Sequence, residues 1–524
     1  MKNINHPFSF KFLTAWMFVL HAATCAAGYL VLGPSPFIDG PVLALMLLID
    51  LTFVVTLAFA RDKNVAHILI LAWFALLFFC IRLAVLLLFP LAAIDFLIGD
   101  AWTSSEILKG LVFIAMGFMV ILLGIFASSR FGFRGKVLAS FKGKQVSIWA
   151  LTAYWAITYL AAYYVRIYLE VTIFGAPQHW GNRMAWVGII FDTDVALVLT
   201  ICWGTIEWRR RGLKNLEMLH LALLVTAWLI FSVVIGSRGG PLRVLSLIFF
   251  AALAVNPGFK LSIARFLAVL AAFFIVNVYA YQLGSMSRAF QLGATDGTSS
   301  VDGFKVNSKE KIALLEADVS ELRRSYYRSE LLNDAAMRVR PIATRLAIID
   351  YPLIIITRPG NQAVLDQYVK SWHPIKNFIN NIVPGEIFKD AMVNTSRIFA
   401  MAYRDRSSQV ISESYMSEPW TMWGMAWLLA GYGGLGIMFG VAFVLQAGYR
   451  LLDVDANGGG AYFRCIYCSI PLNIAYHMFG IDHWLTAVMH FSLACSIAYV
   501  IMLAIDRIFT KFRVRPQAIK SVNK

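Results

Sequence analysis

Apolar runs of about twenty residues recur along most of this chain, and as a helix a run of that length matches the hydrocarbon thickness of a bilayer. They fall near 12–32, 41–60, 66–89, 107–128, 146–169, 185–206, 216–235, 241–256, 262–284, 421–447, 464–480 and 484–506. Backbone N–H and C=O groups find no water in hydrocarbon, so such segments must satisfy them internally, which for runs of this length means α-helix. The sequence therefore predicts an all-α, polytopic membrane protein with about twelve transmembrane helices. Composition agrees: 59% of residues are hydrophobic and 15% charged, and the mean hydropathy is +0.68. Those values exclude an ordinary soluble protein. The first run is itself long enough to span, so no cleavable signal peptide is expected.

The formal charge of +16 would suggest a nucleic-acid partner in a soluble protein. Here most of the excess sits in short loops between apolar runs, where it is an orientation signal, and no nucleic-acid partner is expected. With the N-terminus in the cytoplasm, the inside segments hold Lys2 and Lys11, Arg61 and Lys63, and five cations from Arg130 to Lys144. They also hold Arg209 to Arg211 with Lys214, Lys260 and Arg265, Arg450 and Arg464, and six cations from Arg507 to Lys524. The short outside loops hold chiefly Arg183 and Arg238. Both termini are thus expected in the cytoplasm.

Residues 285–420 break the apolar rhythm. They are polar, nearly balanced in charge, and follow the ninth run, so they are expected outside; long loops translocate regardless of charge. Ile312, Leu315, Val319 and Leu322 recur at helical spacing, and the segment holds enough apolar residues for an ordered, mostly helical cap. The expected organisation is a membrane domain over 1–284 with spans one to nine, an external helical insert over 285–420, and spans ten to twelve with a cytoplasmic tail over 421–524. No internal repeat is evident.

Six cysteines lie in or beside apolar runs, so no disulfide framework follows. Cys465 and Cys468 have redox or zinc spacing but no second ligand pair, and no metal is expected. The Gly-rich stretch from Gly431 to Gly436 lies inside a predicted span with no preceding strand, so it reads as close helix packing rather than a nucleotide loop. No Walker, His-Glu-x-x-His or Gly-x-Ser-x-Gly motif occurs.

Ionisable residues inside spans are costly and are usually paired or functional. Asp50 and Arg82 lie on neighbouring spans at similar depth and are expected to form an ion pair. Arg166 lies near the outer end of span five, opposite Asp192 and Asp194 on span six. It either pairs there or joins Arg238, Arg243 and Arg288 in a cationic basin at the outer face. Arg238 sits in Gly236-Ser237-Arg238-Gly239-Gly240, between two apolar runs. Glycines let backbone N–H groups approach a ligand, and a guanidinium meets phosphate oxygens in pairs, so this turn suits a phosphate or pyrophosphate head group. The alternative is a capping turn with a snorkelling arginine.

A general base has two sources in the sequence. Glu413 and Glu418, with Trp420, end the polar insert, while His477, Asp482 and His483 lie between the last two spans. These groups also fit solvated loop charges and interfacial histidines, and Trp372, Trp420, Trp423 and Trp484 fit an interfacial aromatic belt.

The many-span layout with one long external insert resembles the Wzy-type oligosaccharide repeat-unit polymerases of bacterial envelopes. So do Val234 to Gly240, closing a span ahead of that insert, and Ser417-Glu418-Pro419-Trp420 leading into the Gly-rich Gly431 to Gly440 span. The likeness covers most of the chain in layout and only short stretches in sequence. It implies a glycosyltransferase of the bacterial inner (cytoplasmic) membrane that joins undecaprenyl-pyrophosphate-linked units at the periplasmic face into O-antigen, capsule or exopolysaccharide. It also implies no metal or nucleotide cofactor. The implied partners are polyprenyl-pyrophosphate-linked oligosaccharides, the lipid bilayer and a chain-length regulator. Arg238 matches the family's external arginine. With Glu413 and His483 it makes up the expected catalytic set, and Arg166, Arg243, Arg288 and Glu418 the expected substrate-binding set. The related O-antigen ligases share the layout and the donor. A polysaccharide or lipid transporter is the non-catalytic alternative, and would show paired broken helices.

Overall fold

The computed structural model describes residues 8–33, 35–60, 102–131, 146–163, 190–234, 240–255, 260–261, 349–370, 421–451 and 492–510, with scattered positions between 68 and 87, at 276, between 376 and 403, and between 462 and 467. Among them the chain is almost entirely helical. The helices are α1 (Phe10–Leu32), α2 (Gly40–Phe59), α3 (Ser104–Arg130), α4 (Ile148–Tyr163), α5 (Thr193–Arg211), α6 (Asn215–Val234), α7 (Gly240–Val255), α8 (Asp350–Thr357), α9 (Thr421–Ala430), α10 (Gly434–Leu451) and α11 (Ser492–Thr510). A two-residue antiparallel pairing joins Phe8–Ser9 to Lys260–Leu261. Five helical segments are long and apolar enough to cross a membrane: Gly40–Phe59, Ser104–Arg130, Asn215–Ser232, Thr421–Arg450 and Ser492–Thr510. This is a helical, membrane-embedded protein.

Local chemistry sets several helix starts. Thr103 and Glu106 form a reciprocal capping box at α3: Glu106 N–H donates to Thr103 Oγ1 at 3.3 Å and Thr103 N–H donates to Glu106 Oε2 at 2.9 Å. Asp39 caps α2, with a proline in its first turn, and the Asp192 carboxylate accepts from Asp194 N–H at the head of α5. At the far end of α5, Gly212 adopts φ +73° and stops the helix.

Among the described residues the buried side chains form two large cores and a small third cluster of Ile355, Leu365, Phe399, Ala402 and Met425. The first joins α1, α2, α3, α8, α9 and α10 with Ile68, Leu71, Ala72, Ala75, Phe79 and Leu83, whose spacing is that of one helical face. The second joins α4, α5, α7 and α11 with Tyr462, Cys465 and Ile466. Interhelical contact in the first core is organised by glycines seven residues apart on α3. A Cβ at Gly110 would meet Leu353 at 2.6 Å, one at Gly117 would overlap the Trp423 ring, and one at Gly124 would meet the Phe439 carbonyl at 2.7 Å. The missing side chains let α8, α9 and α10 approach the α3 backbone. Trp423 also donates from Nε1 to the Ile114 carbonyl at 3.2 Å.

The apolar run 421–447, expected as one span, is not a straight rod. Trp423 and Met438 both reach Gly117, although a continuous helix would set residues fifteen apart about 22 Å from one another. A Cβ on Gly434 would overlap the backbone of Ala426. The chain therefore folds back between α9 and α10 through the short 3₁₀ turn Gly431–Gly433, where Gly431 takes φ +54°. That left-handed position is open to glycine at no steric cost. The expected close packing at this Gly-rich stretch is real, but it is the packing of a helical hairpin on itself. At the base of the hairpin Thr421, fully buried, takes φ +58°. For a β-branched residue that is a strained backbone, of order 1–3 kcal/mol, and its Oγ1 accepts from Gly424 N–H at 3.3 Å.

Candidate functional site

The sequence singled out Arg238, Glu413 and His483 as catalytic and Arg166, Arg243, Arg288 and Glu418 as substrate-binding. Arg166, Arg238, Arg288, Glu413, Glu418 and His483 lie outside the described residues. Arg243 falls in the first turn of α7, and its side chain also lies outside them. No two of these groups are brought together among the described side chains.

The frame around Arg238 is described. α6 ends at Val234 and α7 begins at Gly240, so the Gly-Ser-Arg-Gly-Gly motif occupies the link between two apolar helices. The two helices touch, as a short connection between antiparallel neighbours requires. Beside them, Trp228 Nε1 on α6 donates to Asp194 Oδ1 on α5 at 3.2 Å. Asp194 accepts this bond and Asp192 caps α5; their expected pairing with Arg166 lies outside the described residues.

The expected Asp50–Arg82 ion pair is not what forms. Asp50 pairs with His21 Nδ1 of α1, while Arg82 Nε donates to Asp350 Oδ1 of α8 at 2.7 Å. Similar depth on neighbouring spans does not fix which faces meet, and each group found a partner on another segment. The Arg82 guanidinium also lies 3.8 Å over the Phe37 ring centroid, a favourable cation–π placement for a buried arginine. On the same side, Arg358 at the end of α8 stacks over Trp102 at 4.3 Å and lies 3.9 Å from Glu106. Two arginines thus hold α8, which belongs to the 285–420 segment, against the α2–α3 end of the bundle.

Sequence reasoning passed over His21 and Asp350. The signal for His21 was present, since it is an ionisable group midway along the first apolar run. Asp350 could be suspected from the apolar stretch that follows it, but nothing in the sequence names Arg82 as its partner.

At the other end of α5, Arg211 is clasped by Glu217 at 2.8 Å and Glu207 at 2.7 Å. The hydrogen bonds from Glu217 and then Glu207 hold its guanidinium pKa above the usual value. A cavity of about 300 Å³ opens here, lined among others by Ser147, Trp203 and Asp506. Its lining carries the carboxylates of Glu207, Glu217 and Asp506 against the one guanidinium of Arg211, and the Arg211 bonds to Glu207 and Glu217 fix the α5–α6 turn. Among the described residues no cluster of three or more His, Cys, Asp or Glu is arranged to hold a metal ion.

Comparison with protein-family models, with curated proteins and with solved structures finds no match to this chain.

Proposed function

We propose that this chain is a bacterial inner-membrane glycosyltransferase of the polymerase type, acting on oligosaccharide repeat units carried on undecaprenyl pyrophosphate at the periplasmic face. The observation that carries the reading is Arg238 in a glycine-flanked link between two packed apolar helices. A link of that composition suits a diphosphate head group whose tail stays in the lipid, because a guanidinium meets phosphate oxygens in pairs and glycines carry no side chain to keep a ligand from backbone N–H groups.

In the reaction, the bond between the donor's anomeric carbon and the pyrophosphate oxygen breaks. A new bond forms to a hydroxyl oxygen of the incoming unit. The leaving undecaprenyl pyrophosphate keeps the electron pair, and Arg238, with Arg166, Arg243 and Arg288, stabilises the charge that develops on it. The hydroxyl proton passes to a general base, for which Glu413 and His483 rank ahead of Glu418. The run of α10 in the same direction as α3, with Met438, Ala442 and Arg450 beside Gly117, Gly124 and Ser128 in turn, supports a topology in which both cross in one direction; the loop charges alone make that direction outside to inside.

A second reading, a polysaccharide or lipid transporter, draws on the reversal between α9 and α10, because discontinuous helices line transport sites. Glycan chain length in a deletion strain separates the two. Product halted at a single repeat unit means polymerase. Long lipid-linked chains that accumulate without surface polymer mean an exporter, or a ligase using the same donor.

A further inference from the structure

His21 and Asp50 meet midway along their helices, far from either end. His21 lies halfway along the 23 residues of α1 and Asp50 halfway along the 20 of α2, and the two helices pack together. The histidine is fully buried and the Asp50 side chain is 8% exposed. The imidazole lies parallel to the Phe79 ring, with centroids 6.5 Å apart, and Phe79 in turn meets Phe118 of α3. Nδ1 is committed to Asp50. Nε2 is buried with no hydrogen-bond partner among the described residues.

Among the described residues the titratable groups that approach the pair are the thiols of Cys25 on α1 and of Cys80, which contacts the Thr24 hydroxyl at 4.0 Å. From α3 comes the apolar Phe118. The nearest arginine in sequence to Cys80, Arg82, is engaged with Asp350. An uncompensated charge in such a place is strongly disfavoured. The pair is neutral when it holds one proton, whether as carboxylate with imidazolium or as carboxylic acid with imidazole. With none its charge is −1 and with two +1, and both are disfavoured. A bond that served only to join α1 to α2 would have no use for a second, open ring nitrogen buried beside it.

We propose that His21 and Asp50 form an intramembrane proton-binding site. It holds one proton between Nδ1 and Oδ2 and exchanges it through the open Nε2. Imidazole suits this role because a proton taken up at one ring nitrogen can be given up at the other. The site is separate from the proposed glycosyl-transfer chemistry at the outer face, and it stands whether or not that reading survives.

The test is nitrogen NMR of full-length protein in lipid nanodiscs, labelled at histidine, with the His21 signal assigned by its loss in His21→Gln. In the wild type the Nδ1 resonance should show a proton shared with Asp50, and the ring-nitrogen proton should exchange with deuterium oxide while the protein stays folded. Asp50→Asn, which keeps a hydrogen-bonding partner but cannot share the proton as an acid, should abolish the shared-proton signature at unchanged helical content. A His21 proton that does not exchange in the folded wild type overturns the proposal, as do ring-nitrogen signals identical in Asp50→Asn. Should that variant fail to fold, Asp50→Glu replaces it. An altered Nδ1 resonance then supports the site, and an unaltered one refutes it.

Discussion

Arg82 Nε donates to Asp350 Oδ1 at 2.7 Å, across 268 residues of sequence, with both side chains at most 3% exposed. The contact ties α8 to the membrane bundle, and Phe37 covers the guanidinium. Removing the carboxylate would leave a buried cation without this partner. Asp350→Ala is therefore expected to destabilise the protein by about 3–5 kcal/mol, and Arg82→Lys, which loses the planar stack on Phe37, to destabilise it as well. Thermal unfolding in detergent checks both. An unchanged midpoint for Asp350→Ala would show that the pair is not holding the helix.

The α3 glycines make a sharper contrast. Gly117→Ala drives a methyl into the Trp423 ring and should cost about 1–3 kcal/mol. Gly436→Ala meets nothing within 4 Å and sits in α10, so it should be neutral or stabilising by up to about 1 kcal/mol. Unfolding midpoints of the two variants should move in opposite directions or differ clearly. Equal effects would contradict the close approach of α9 to α3.

Much of the helical layout was legible because apolar length is a local signal. The runs 12–32, 41–60, 107–128, 216–235 and 241–256 correspond to α1, α2, α3, α6 and α7 within a few residues. Pairing was not legible. Asp50 and Arg82 announce themselves as charges in lipid, but which helix faces meet depends on packing, so His21 and Asp350 took the partner positions. The reversal at Gly431 was hidden for another reason. Hydropathy carries no direction, and a hairpin of two apolar helices has the same profile as one long span. The turn is written in backbone angles at Gly431. The candidate catalytic groups were chosen from chemistry and resemblance, and six of the seven lie in segments outside the described residues.

Topology is open to direct test. A single cysteine in place of Asp296, within the 285–420 segment, should react with an impermeant maleimide on intact cells. Well-expressed protein that stays unlabelled would place the segment inside, and with it remove the case for an external site.

The base and the arginine should fail in different ways. Glu413→Gln, Glu418→Gln and His483→Ala are to be compared with purified protein, measuring donor-lipid binding and polymer formation separately. Loss of the true base should slow turnover by about 10²–10⁴ fold with donor binding nearly intact. Loss of an arginine should weaken both. Full polymer formation by all three variants would mean that none of these groups takes the proton.

The central claim is that Arg238 grips a diphosphate through its planar fork, which an ammonium cannot reproduce. The most direct measurement is glycan chain length in cells carrying Arg238→Lys or Arg238→Ala, with the protein confirmed in the membrane at its normal level. Both variants should lose long glycan and retain single-unit product. Full-length glycan from Arg238→Lys would contradict the bidentate role, and full-length glycan from Arg238→Ala would reduce the residue to a snorkelling anchor.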